Sequence, residues 1–66
     1  MSVQHPTECL TRAEMDRIRT AVAERGENAV VALLGRLNTR TFYKAVAGFP
    51  VSRLSAEVIR SNLGRI

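Results

Sequence analysis

A chain of 66 residues with 45% hydrophobic and 24% charged side chains suits one small globular domain and argues against a second domain or disorder over its whole length. No apolar run approaches the roughly 18 to 20 residues that span a bilayer, the N-terminus lacks a basic region followed by an apolar stretch, and Cys9 is the sole cysteine, so no internal disulfide forms. These features predict a soluble protein of a reducing cytoplasm, and the net charge of +4 predicts an acidic partner.

Residues 1–9 show no periodicity and include His5-Pro6, which predicts a flexible N-terminal arm outside a folded domain of residues 10–66. Thr11-Arg12-Ala13-Glu14 has the spacing of a capping box, with Leu10 and Met15 placed as the accompanying staple. Met15, Ile18, Ala21 and Val22 then recur at helical spacing until Arg25-Gly26, which predicts a first helix over residues 12–25. The apolar run Ala29 to Leu34 reads equally as a buried strand by periodicity. Because no other segment offers a partner strand, it is taken as a short helix over residues 28–34.

Asn38 is a good N-cap and Gly48 a good C′ residue, so a third helix is expected over residues 39–47. Phe42, Ala45 and Val46 form its apolar stripe, which turns Thr39, Arg40, Tyr43 and Lys44 onto other faces. Phe49 is placed to close the helix end, and Pro50 prevents continuation. A fourth helix over residues 53–63 is expected to bury Leu54, Val58, Ile59 and Leu63, to end at Gly64, and to leave Arg53 and Arg60 in water. The fold class is therefore an all-α bundle of four short helices.

The basic excess is confined to one half of this arrangement. Residues 1–35 hold four arginines against five carboxylates, a net of −1, whereas residues 36–66 hold six basic residues against Glu57 alone, a net of +5. Two short helices joined by a glycine-containing turn, the second basic outside and apolar inside, match a helix-turn-helix.

From about Met15 to Leu63 the chain resembles the lambda-repressor-like (Cro-type, Xre-type) helix-turn-helix domains of bacteria and their phages. The stretch from Leu34-Gly35 through Leu37-Asn38 and Thr39 to Gly48 is the most similar, followed by Pro50-Val51 and the helix with Ala56, Ile59 and Leu63. Three departures stand out: Gly26, Glu27 or Asn28 occupies the place of a phosphate-clamping glutamine, Arg36 lengthens the turn by one residue, and the loop between helices one and two is short.

The resemblance implies a recognition helix in the major groove, with Thr39, Arg40 and Lys44 facing base edges. Arg40 can donate two hydrogen bonds to guanine O6 and N7, Thr39 can hydrogen-bond or present its methyl to thymine, and Lys44 can reach a base or a phosphate. Arg36, Asn38, Tyr43 and Arg53 are the candidate phosphate contacts, Arg53 because it opens a helix. For Tyr43 the alternative is a ring lying over Phe42 or the fourth helix.

An enzyme is not expected. His5, Glu8 and Cys9 include three ligand types, but they lie in the arm without a fourth ligand, so neither a metal site nor a Cys-His catalytic pair is predicted, and no cofactor loop is present. The expected function is sequence-specific binding of double-stranded DNA by a transcriptional regulator, a repressor on an inverted-repeat operator, acting in the bacterial cytoplasm at the nucleoid as a homodimer. Helix four with Leu63 and Ile66, or the arm, supplies the apolar ends for that dimer. No membrane or small-molecule substrate is expected. The alternative is a small helical interaction module, such as an inhibitor, whose basic surface binds an acidic protein. Aromatic residues, at 5%, are too scarce to favour RNA.

Overall fold

The computed structural model describes residues 6–35 and 37–66. In chain order the elements are β1 (Thr7–Glu8), α1 (Arg12–Arg25), α2 (Glu27–Leu33), α3 (Thr39–Val46), β2 (Val51–Ser52) and α4 (Arg53–Asn62), with a 3-10 turn at Leu63–Arg65. The four helices begin and end within one residue of the boundaries that capping chemistry predicts.

Local chemistry explains those boundaries. The Thr11 hydroxyl accepts from the Glu14 backbone N–H at 3.2 Å, and the Glu14 carboxylate accepts from the Thr11 N–H at 2.8 Å, so two otherwise orphaned donors are satisfied together. Gly26 ends α1 by donating to the Val22 carbonyl and opens α2 by accepting from the Val30 N–H, so the two helices share one joint. At the end of α3 the Gly48 N–H donates to the Ala45 carbonyl and the Phe49 N–H to the Lys44 carbonyl, the paired bonds of a Schellman turn. That turn needs a left-handed residue, and Gly48 supplies it with φ +88°.

Every helix contributes to one core of Leu10, Ile18, Ala21, Val30, Leu34, Phe42, Ala45, Val51, Ala56 and Ile59. Ile18, Val30, Leu34 and Ile59 are fully buried, each contributing about 1.5–3 kcal/mol through removal from water. Gly35 lets α4 approach the turn between α2 and α3. It has φ +104°, and a Cβ there would stand 2.8 Å from Val58 Cγ1. Asn62 fastens the same junction by donating to the Leu34 carbonyl at 3.5 Å.

Several expectations are corrected. The fold is mostly helical but not all-α, because β1 pairs antiparallel with β2, Thr7 opposite Ser52 and Glu8 opposite Val51. Part of the expected arm is therefore inside the fold, and the Arg53 N–H extends the attachment by donating to the Pro6 carbonyl at 3.1 Å. Met1 to His5 lie outside the described residues. On α4 the inward residues are Ala56 and Ile59, followed by half-buried Leu63, whereas Leu54 faces outward and Val58, 37% exposed, lies at the edge where α4 meets Gly35. Ser52 starts α4, its hydroxyl accepting from the Ser55 N–H at 3.1 Å, and the strand pair ties the same residue to Thr7. Gly64 does not stop α4; it lies within the 3-10 turn that follows. Phe49 closes α3 through its backbone, while its ring remains 61% exposed.

Candidate nucleic-acid interface

The segment from Asn38 to Gly48 places its side chains in two opposed sets. Phe42 and Ala45 are buried in the core, whereas Thr39, Arg40, Tyr43 and Lys44 are exposed. With 3.6 residues per turn, Thr39 lies above Tyr43 and Arg40 above Lys44, so the four form two adjacent rows on the outward face. The helix is held at both ends. Asn38 Oδ1 accepts from the Arg40 N–H at 2.8 Å, and Arg19 of α1 donates to the Val46 carbonyl at 2.7 Å.

The cap defines what Asn38 can offer a phosphate. Its acceptor oxygen is engaged by the backbone, so the side-chain amide is the donor that remains. Tyr43 packs edge-on against Phe42, with ring centroids 5.9 Å apart and planes at 62°, as one of its two expected arrangements required. Its hydroxyl neighbours the Glu27 carboxylate, which raises the phenol pKa. An anion there would meet a carboxylate, so Tyr43 is a poorer phosphate donor than Arg40 or Lys44. Glu27, at the start of α2, thus faces the Tyr43 side of α3 across a shared cleft.

Lys44 borders a cleft with the hydroxyl residues Thr7, Thr41, Ser52 and Ser55. The contribution of Thr7 was not foreseeable, because it depends on the strand pair. Arg36 lies outside the described residues.

The basic residues of α4 are arranged differently. Arg53 lies 3.3 Å from Glu57 and 3.7 Å from Glu8. Arg60 pairs with Glu8, and with Glu14 at 2.9 Å, and it reaches toward the Cys9 carbonyl. Arg60 holds the Glu14 carboxyl below the usual carboxylate range, and the two acidic partners raise the guanidinium in return. Neither α4 arginine simply remains in water, and Arg53, the proposed phosphate contact, already faces two carboxylates. Arg40 and Lys44 form no ion pair among the described residues. They share this lack of a carboxylate partner with the arginines of α1, of which Arg17 and Arg19 donate to the Leu63 and Val46 carbonyls. What sets α3 apart is that its two cations stand on one outward face with no acidic residue on the same helix.

Among the described residues, no helix is long and apolar enough to cross a membrane. Comparison of the chain with protein-family models, curated proteins and solved structures finds no match.

Proposed function

We propose that this chain binds double-stranded DNA in a sequence-specific manner, with α2, the following turn and α3 acting as a helix-turn-helix and α3 entering the major groove. The observation that carries this reading is the outward face of α3, where Arg40 and Lys44 stand exposed on a helix anchored by Phe42 and Ala45, without carboxylate partners among the described residues. A rigid helix of about 10–12 Å diameter fits the major groove, and its surface cations meet base acceptors and phosphates there.

In this reading Arg40 specifies a guanine, Thr39 reads the neighbouring step, and Lys44 assists at a base or a phosphate. Asn38 and Arg36 position the backbone, with Arg53 joining when a phosphate displaces one of its carboxylates. Occupying a promoter-proximal operator then makes the chain a transcriptional repressor.

The test is an anisotropy titration of wild type and Arg40→Ala against DNA upstream of the protein's own gene and against random duplex, at two salt concentrations. Affinity is expected to fall with salt, and Arg40→Ala to lower the preference for the operator by about 1–3 kcal/mol. Equal, weak binding of both proteins to every duplex overturns the regulator and favours an interaction module for an acidic protein.

A further inference from the structure

The cleft beside Lys44 has a volume of about 220 Å³, and its polar lining comes from four elements: Thr7 of β1, Thr41 and Lys44 of α3, Ser52 of β2 and Ser55 of α4. A polar cleft on a small protein ordinarily holds water, so its chemistry decides what else it suits. Every polar side chain in this lining can donate a hydrogen bond, one of them is a cation, and no carboxylate is among them.

The strand pair and the serine cap produce this one-sided chemistry. Thr7 lies opposite Ser52, so the two side chains share a face, while the alternation of a strand turns Glu8 to the other side, where it pairs with Arg53 and Arg60. Thr41 and Lys44 are three residues apart and share one flank of α3. The Ser52 hydroxyl accepts from the Ser55 N–H at 3.1 Å and donates to Ser55 Oγ at 2.9 Å, so its proton is spent within the fold. Ser55 Oγ, having accepted, keeps its own proton for an acceptor outside. The side chains of Thr7, Thr41 and Lys44 make no hydrogen bond or ion pair among the described residues.

Unspent donors around a single cation suit an anion with several acceptor oxygens, and the first turn of α4 adds the positive end of a ten-residue helix. A carboxylate presents two oxygens in one plane, whereas a phosphate presents a tetrahedron of them to donors arriving from separate elements. We infer that this cleft is a seat for a phosphate group, with Lys44 supplying the charge and Thr7, Thr41 and Ser55 the hydroxyl donors. Resting on the proposed function, that phosphate is a backbone phosphodiester of the bound duplex. The cleft is open to solvent, as a group continued at both ends by a polymer requires, and Lys44 joins it to the outward face of α3. Lys44 is thereby assigned to the backbone rather than to a base, and β1 is brought into the interface.

Two titrations of the full chain separate the seat from the source of its phosphate. As inorganic phosphate replaces chloride at constant ionic strength, the amide resonances of Thr41, Lys44 and Ser55 should shift, and Lys44→Met should abolish those shifts while retaining the helical spectrum. In the second, duplexes with a single methylphosphonate, which removes one backbone charge, are titrated by anisotropy. One position should weaken wild type by about tenfold and leave Lys44→Met unaffected, and Thr41→Val and Ser55→Ala should each weaken operator and random duplex alike by about three- to tenfold.

A cleft that answers to neither probe, or answers equally in Lys44→Met, overturns the inference, and sequence-selective duplex binding alongside that result leaves the proposed function intact. Shifts with inorganic phosphate, but no methylphosphonate that distinguishes the two proteins, retain the seat and assign it to a free phosphate. The same shifts in a chain that binds no duplex also overturn the proposed function.

Discussion

Arg40 and Lys44 on α3 and Arg53 and Arg60 on α4 sit on helices of eight and ten residues, yet only the α4 pair has carboxylates within reach. Three of the elements that meet at α4 supply them: Glu8 comes from β1, Glu14 from α1 and Glu57 from α4 itself. A net charge of +5 counted along residues 36–66 therefore says little about where a polyanion is attracted, because the fold brings two acidic residues from the other half to neutralise α4. What distinguishes the faces is whether the cation already has a partner. A held arginine must exchange a carboxylate for a phosphate, whereas an unpaired one has only water to release.

The largest expected effects separate the two sides of α4. Ile59→Ala should cost about 2–5 kcal/mol in denaturant unfolding, since Ile59 is fully buried, while Leu54→Ala should stay within about 0.5 kcal/mol for the monomer. Comparable losses at both positions would mean that α4 is rotated differently. Gly35→Ala tests how the two helices are held in relation to each other. The left-handed backbone and the contact with β-branched Val58 predict a loss of about 1–3 kcal/mol, and adding Val58→Ala should restore only the part due to contact.

For DNA binding, Lys44→Ala should reduce the slope of log affinity against log salt by up to about one if Lys44 meets a phosphate, and Arg53→Ala should change it less. A larger change from Arg53→Ala would reverse the contrast between free and held cations. The smallest effect is a pH dependence of stability. Because Arg60 lowers the Glu14 pKa in the folded state, its contribution is complete above the ordinary glutamate range and is lost as pH falls through the depressed folded value. Melting temperature should fall with acidification over that window, and Glu14→Gln should flatten this part of the profile.

The helices were legible because their signals are local. Thr11 with Glu14, Asn38 with Arg40, and Gly48 act across two to four residues, so the type of side chain at each position carries the geometry with it. The same reasoning placed Arg40 and Lys44 opposite Phe42. On α4 it was half right: Ile59 and Leu63 pack inward as expected, but Leu54 is exposed and Val58 only edges the core, and Ala56 takes the inward place that hydrophobicity alone assigns to a leucine. The start of α4 is tied to a distant segment by the strand pair, which places Ser52 opposite Thr7. A strand of two residues has no periodicity to read, and the Arg60 ion pairs span 46 and 52 residues of sequence. The proximity of Glu27 to Tyr43 likewise joins residues on two different helices.

The pairing of β1 with β2 also sets an order for folding. Residues 12–46 can gather through turns only a few residues long, but joining Thr7 to Ser52 must close a loop of some forty-five residues before any gain is realised. Loop-closure entropy predicts that this closure comes late in folding and that its loss comes early in opening. The amide of Arg53, bonded to Pro6, should then exchange its proton sooner than the amide of Phe42, bonded to Asn38.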